Sequence, residues 1–321
     1  MKKIAVLADY LEPSHHALID STAARCGFAV DYYPDCRVPA ELAGTYEVVH
    51  GMPKPGDLKT FTGMKWFCGS FAGVDAYLDD ALYPSPEVML SNSSGAYGVT
   101  IAEHLVMVTL MLLRHADTYL HHADAHRWGP VMPMRSIIGS TITVLGTGDI
   151  GTEFARRAKA MGAKEIRGVR RTKKAADPAF DGVYTHAELD SLLPDTDILV
   201  MALPSTADTV GILSRDRIAL LPETAYVVNV GRGTAIDQPA LVEALNAGKL
   251  AGAALDVFEK EPIPAGDPVW DAKNLLITPH ISGQMSLGYT RDKNVALFCE
   301  DLENYAAGRP LKRYVDRKIG Y

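Results

Sequence analysis

The chain has 321 residues, with 47% hydrophobic and 22% charged residues, enough for two globular domains. A net charge of −7 argues against nucleic acid as a partner, and no apolar run is long enough for a membrane span. Cys26, Cys36, Cys68 and Cys299 show no C-x-x-C or metal-ligand spacing, so reduced thiols in a cytoplasmic protein are the expectation.

The N-terminus superficially resembles a signal peptide, but Asp9 ends its apolar part, Ile4 to Ala8, and a first β-strand is the better reading. Short strand-like runs at Lys3–Ala8, Phe28–Tyr32, Val48–Gly51, Trp66–Gly69 and Val88–Ser91 alternate with helical stretches and predict a parallel α/β domain. A long helix is expected from about Thr100 to Arg127, because Ile101, Leu105, Val108 and Leu112 recur at helical spacing, with the Pro130–Pro133 segment breaking it. His122 and His126 are spaced as metal ligands on a helix can be. They and His121 lack a matched carboxylate motif such as H-E-x-x-H, so a polar face or interface is expected and no metal.

A second alternation begins at Thr141. Strands are predicted at Thr141–Leu145, Glu165–Val169, Ile198–Ala202, Ala225–Val230, Gly252–Asp256 and Leu275–Thr278, which suits a six-stranded doubly wound sheet. A last helix, Asn294 to Tyr305, has no strand partner there and is expected to return to the first domain. Between the first strand and helix of this set stands Gly146-Thr-Gly-Asp-Ile-Gly151, a G-x-G-x-x-G in the order a dinucleotide site requires. Gly146 permits a tight turn, Gly148 leaves room for a pyrophosphate, and Gly151 lets helix and strand pack closely. The N–H groups of Asp149 and Ile150 at the helix start would bind phosphate.

Three later segments carry chemistry-capable residues just past strand ends, where open α/β sheets bind ligands: Val228–Gly233 with Arg232, Leu255–Pro262 with Glu261, and Ile277–Gly283 with His280. An arginine fork holds a carboxylate, a histidine moves protons near neutral pH, and a carboxylate beside it stabilises the imidazolium. Singly, Arg232 fits a glycine turn, Glu261 a solvated loop and His280 a structural role; their order after the fingerprint suggests reduction of a 2-keto acid.

Together these segments resemble the D-isomer-specific 2-hydroxyacid dehydrogenase family over nearly the whole chain. The resemblance includes Ala72-Gly-Val-Asp75, Ala102-Glu103, Gly146–Gly151, Leu203-Pro-Ser-Thr206, Asn229–Gly233, Asp256-Val-Phe258 with Glu261-Pro262, and Thr278-Pro-His280. It implies that Arg232 binds the substrate carboxylate and keto oxygen. It makes His280 the general acid/base, paired with Glu261 rather than Glu259. Asp256 would hold the nicotinamide carboxamide, with Leu203 and Pro204 also on the cofactor, and the backbone of Ala72, Gly73 and Val74 would grip the substrate carboxylate. It further implies two doubly wound domains: a Rossmann cofactor domain over 99–286 and a discontinuous flavodoxin-like substrate domain over 1–98 plus 287–321. A homodimer built through the cofactor domain is expected, with the helix near 101–125 contributing.

The chain departs from the pattern where a carboxylate normally holds the ribose of NAD. There it carries Arg170, Arg171, Thr172, Lys173 and Lys174, a cluster suited to a 2′-phosphate. NADP(H) is therefore expected over NAD(H), with NAD(H) possible. Asp149 stands where many members have a basic residue, which suits a helix N-terminus better than a neighbouring pyrophosphate. The expected activity is reduction of a small keto acid of the glyoxylate or hydroxypyruvate type to a D-2-hydroxy acid. The alternatives are an NAD-dependent D-lactate or phosphoglycerate dehydrogenase, or a dinucleotide-sensing protein like the family's corepressors.

Overall fold

The structure, a computed structural model, describes residues 1–173 and 177–321. Lys174, the last cation of the basic run, lies outside the described residues. The chain forms two compact units, Met1–Tyr97 with Gln284–Tyr321, and Gly98–Gly283.

The first unit contains β1 (Lys2–Leu7), α1 (Pro13–Arg25), β2 (Phe28–Tyr32), α2 (Ala40–Ala43), β3 (Val48–Gly51), β4 (Trp66–Gly69) and β5 (Met89–Ser91). The strands are parallel in the order β2-β1-β3-β4-β5, the flavodoxin-like order. Alternate residues of β1 feed opposite cores: Ile4 and Val6 pack with Ile19, Val48 and Trp66, while Ala5 and Leu7 pack with Val49, Leu58 and Phe67. A strand buried on both faces needs such an uninterrupted apolar run, and that made these strands readable.

The second unit contains α3 (Gly98–Leu113), α4 (Ala116–Asp124), β6 (Thr141–Leu145), α5 (Asp149–Ala160), β7 (Glu165–Arg170), β8 (Gly182–Thr185) and α6 (Leu189–Leu192). It continues through β9 (Ile198–Met201), α7 (Arg215–Leu220), β10 (Tyr226–Asn229), α8 (Gln238–Asn246), β11 (Gly252–Leu255) and β12 (Leu275–Ile277). Its parallel sheet runs β12-β11-β10-β9-β6-β7-β8, the Rossmann order, which reverses direction between β9 and β6. Among the described residues the sheet has seven strands where six were expected. The added β8, Gly-Val-Tyr-Thr, is a half-buried edge strand paired with β7, and it carries no apolar run to announce it.

The long helix expected over 100–127 is two helices, α3 and α4, bent by 70°. His115 at the break adopts φ +50°, and its Nε2 lies 2.9 Å from the Pro133 carbonyl oxygen. The Tyr119 hydroxyl donates to the Pro130 carbonyl and accepts from the Met132 N–H. The proline segment thus lies along α4 instead of ending it. His126 falls beyond α4 at φ +51°, so it does not share a helix with His122. Among the described residues no single helix is long and apolar enough to cross a membrane. The last helix, α9 (Gly288–Ala306), is longer than predicted and belongs to the first unit, where Val295, Phe298 and Leu302 complete the core on the α1 side of the sheet.

Candidate active site

The turn between β6 and α5 shows why each fingerprint position is glycine. Gly146 has φ +101°, and a Cβ there would stand 2.5 Å from the Ala202 carbonyl oxygen. A Cβ on Gly151 would stand 1.9 Å from the Gly146 oxygen, so helix and strand could not close up. Gly148 is different: among the described residues a Cβ there would meet nothing within 4 Å. The fold itself does not require glycine at that position, whereas a ligand approaching the backbone would. The first-turn N–H groups of α5, including that of Ile150, have no carbonyl of their own helix to bond and form a ready anion site. The Asp149 carboxylate lies over Gly98 at the start of α3, filling the space a Cβ on Gly98 would take. That position complements the positive end of α3, which accounts for an acidic residue in the fingerprint.

Beside this turn, the Gly146 N–H donates to the Val169 carbonyl at 2.8 Å, so Arg170 at the end of β7 follows directly alongside the fingerprint. Arg171 is exposed, and Lys173 stands 3.6 Å from Glu188. Past β9, Leu203 is buried and Pro204 exposed, with the Thr209 hydroxyl on the Pro204 carbonyl. The cradle, the open Gly148 and the cations at the β7 end together fit a phosphorylated dinucleotide.

Arg232, Glu261 and His280 follow β10, β11 and β12, and three contacts stitch them together. A Cβ on Gly233 would overlap the Phe258 carbonyl carbon at 1.9 Å, so the Arg232 loop lies directly on the segment after β11. The Phe258 N–H donates to Glu261 Oε1 at 2.9 Å. The other Glu261 oxygen, Oε2, is 2.7 Å from His280 Nδ1. Asn229 braces the arginine turn: its Oδ1 accepts from the Gly231 N–H and its Nδ2 donates to the Arg232 carbonyl. His280 has φ +53°, a left-handed conformation unusual outside glycine, and its N–H points to the Asp256 and Thr278 carbonyls. Strain of this kind concentrates where side-chain direction matters.

Asp256 does something the sequence did not reveal. Its side chain is 1% exposed. Oδ1 accepts from the Thr278 hydroxyl at 2.6 Å and the Ile281 N–H at 3.0 Å, and Oδ2 accepts from the Ser282 N–H at 3.0 Å. Asp256 therefore clamps the segment that carries His280. Of the four lone-pair sites on its carboxylate, three are taken. His104 of α3 stands 4.0 Å from Asp256 Oδ1; burial lowers its pKa, and the nearby carboxylate partly opposes that. Backbone donors are invisible in composition, so no motif would have found this clamp. Ala72, Gly73 and Val74 follow β4 and belong to the first unit, whereas Arg232, Glu261 and His280 belong to the second. Cys68, in β4 itself, is a buried thiol whose pKa burial pushes up to about 12.

The family model for the D-isomer specific 2-hydroxyacid dehydrogenase NAD binding domain matches residues 106–282. The chain belongs to this family. A glyoxylate/hydroxypyruvate reductase A of Klebsiella pneumoniae (strain 342) is 32% identical over 257 residues, spanning 78% of this chain and 80% of the relative. The crystal structure of a D-isomer specific 2-hydroxyacid dehydrogenase from Xanthobacter autotrophicus Py2, in complex with NADPH and MES, superposes with a TM-score of 0.82 at 28% identity, covering 100% of this chain and 99% of that one. An NADPH-dependent glyoxylate/hydroxypyruvate reductase from Sinorhizobium meliloti, in complex with NADP and sulfate, gives 0.81 at 26% identity, with 100% of both chains covered. The protein is thus an NAD(P)-linked oxidoreductase of this family.

Proposed function

We propose that the protein reduces a small 2-oxo acid of the glyoxylate or hydroxypyruvate type to the 2-hydroxy acid, of D configuration where C2 becomes a stereocentre, with NADP(H) preferred and NAD(H) possible. The observation that carries this is the Glu261–His280 pair, tied through Phe258 to the Arg232 loop beside a dinucleotide cradle. The relatives favour it over the lactate, phosphoglycerate and sensing alternatives.

Gly146, Gly148, Asp149, Ile150 and Gly151 would hold the pyrophosphate through backbone N–H groups. Arg170 and Arg171 would hold the 2′-phosphate, and Leu203, Pro204 and Asp256 would line the nicotinamide end. A dinucleotide held there would supply the hydride that reduces the carbonyl carbon of the acid. Arg232 offers its fork to the carboxylate and keto oxygen, which orients the substrate and draws electron density from C2. Glu261 accepts from His280 Nδ1–H, fixes the tautomer and stabilises the imidazolium. His280 then donates its Nε2 proton to the oxygen that becomes the hydroxyl, and the reverse transfer serves oxidation. Residues 1–98 with 287–321 would bind substrate and 99–286 the cofactor, with Ala72, Gly73 and Val74 contributing N–H groups to the carboxylate.

The test is initial rates for glyoxylate, hydroxypyruvate, pyruvate and phenylpyruvate, each with NADPH and NADH, on wild type and Arg170→Asp. Rapid NADPH turnover of one small acid, with the NADPH/NADH ratio of kcat/KM falling at least ~10-fold in the variant, is expected for a lost charge-assisted phosphate contact. Turnover only with NADH discards the cofactor preference, and none with any pair discards the activity.

A homodimer through the cofactor unit accompanies this reading. Trp128 is 102%, Val131 92% and Ile138 73% exposed, with Leu120 also exposed, a concentration of apolar side chains that a monomer would leave in water. Trp128→Asp with Val131→Asp should convert a dimer to a monomer in sedimentation velocity; a wild type that sediments as a monomer ends the idea.

A further inference from the structure

The Gly69–Val74 loop after β4 owes its shape to a buried polar network that spans the first unit. Four successive carbonyls are held from behind. Gly69 O accepts from the Ser93 hydroxyl at 2.9 Å, Phe71 O from the Ser93 N–H at 2.9 Å, and Ala72 O from Asn92 Nδ2 at 2.7 Å. Ser70 O accepts from Asn294 Nδ2 at 3.3 Å and from the Tyr97 hydroxyl. Asn294, wholly buried on α9, also donates to Ser93 Oγ at 2.7 Å, and its Oδ1 accepts from the Tyr10 hydroxyl at 2.7 Å. The Tyr10 hydroxyl is also 2.8 Å from Ser70 Oγ. Burial raises the pKa of both phenols above the ordinary range, so both remain donors at neutral pH.

A trans peptide points its C=O and the following N–H in opposite directions. The Gly69–Ser70 plane shows the consequence: Gly69 O goes to Ser93, while the Ser70 N–H goes the other way to Gly51 O at 3.0 Å. Holding Phe71 O and Ala72 O inward likewise turns the N–H groups of Ala72 and Gly73 outward, on a half-buried stretch that buried Val74 anchors at its end. Two adjacent N–H groups facing one way are a carboxylate receptor. We propose that Asn294 and Tyr10 are positioning residues for the substrate carboxylate: through Ser70 and Ser93 they set the direction of the Ala72 and Gly73 N–H groups. This rests on the reductase reading above and adds the C-terminal helix to the machinery that recognises substrate.

Tyr10→Phe removes one oxygen with little change of shape, and Asn294→Ala removes both donors. Steady-state kinetics with NADPH would compare glyoxylate with methyl glyoxylate, which lacks the negative charge. In each variant KM for glyoxylate should rise about tenfold, the scale of a lost charge-assisted hydrogen bond, while kcat, KM for the ester and Kd for NADPH stay within about twofold. An unchanged KM for glyoxylate, or equal losses on acid and ester, overturns the proposal. Should Asn294→Ala not fold, Tyr10→Phe decides alone. A wild type that reduces glyoxylate beside unaffected variants sinks this inference only. Where another acid of the panel turns over better than glyoxylate, that acid and its methyl ester take the place of this pair, and a wild type that reduces none of the four acids sinks the reductase reading and this inference with it.

Discussion

The three fingerprint glycines look alike in sequence but do different work. Gly151 is demanded by packing, since any side chain there collides with the Gly146 carbonyl. Gly148 is demanded by nothing among the described residues, and its φ of −79° and ψ of −162° suit any L-residue. The two alanine variants should therefore part company. Gly148→Ala should keep its Tm within about 1–2 °C, within the reach of a neutral surface change, and weaken NADPH binding severalfold. Gly151→Ala should lose stability by about 1–3 kcal/mol, the scale of an overpacked site. Thermal unfolding of the apo-protein and fluorescence titration with NADPH read the two effects separately. A large Tm loss at Gly148, or undiminished affinity there, would show that the open space does not receive the pyrophosphate.

At the scale of the element, the segment after β12 illustrates how an enzyme holds one histidine still. Thr278 to Ser282 is tied to β11 by the Asp256 carboxylate, whereas Glu261 reaches His280 from a half-exposed position. Asp256→Asn replaces one acceptor oxygen by a donor, which leaves a buried N–H or hydroxyl facing the wrong partner. It should cost about 1–3 kcal/mol of stability and lower kcat/KM as well. Glu261→Gln should lower kcat about 10²-fold or more, the usual weight of general acid–base assistance, with little change in Tm. Equal Tm losses in the two variants would count against this division of labour. The same contrast marks what could be read beforehand. The central strands were legible because burial on both faces demands apolar runs, and the places of Gly146–Gly151 between β6 and α5 and of Arg232, Glu261 and His280 past β10, β11 and β12 followed from those strands. β8 was not, since an edge strand needs no such run. The α3–α4 bend was not, since it depends on His115 turning to meet Pro133. Nor could the Tyr10–Asn294 bond be foreseen, as it joins positions 284 residues apart.

At the scale of the molecule, both units bury histidines that resist protonation. His50 in the first unit is fully buried, stacked on Phe298 at 4.0 Å between ring centres, with Nδ1 3.1 Å from the Cys68 carbonyl. Burial pushes its pKa down from 6.5 to about 4. His104 and His186 in the second unit are lowered for the same first reason. In the unfolded chain these rings bind a proton near pH 6.5, while in the folded protein they do so only at lower pH, so between those limits the unfolded state holds more protons. Stability is thus fully present above pH 6.5 and falls as the pH drops toward the folded values. The carboxylates whose folded pKa values are depressed, Asp31, Glu47 and Glu153 among them, lose their contribution only at lower pH, beginning near their ordinary values of 3.8 to 4.5. The window from 6.5 down to about 5 therefore belongs to histidine, and there His50 alone accounts for about 2 kcal/mol by pH 5. Urea midpoints of the wild type at pH 7.5 and 5.0 should differ accordingly. In His50→Asn, whose carboxamide can still donate to the Cys68 carbonyl but carries no titrating ring, the difference should shrink by about that amount. A variant that keeps the full acid loss would place the proton uptake elsewhere, on His104 and His186.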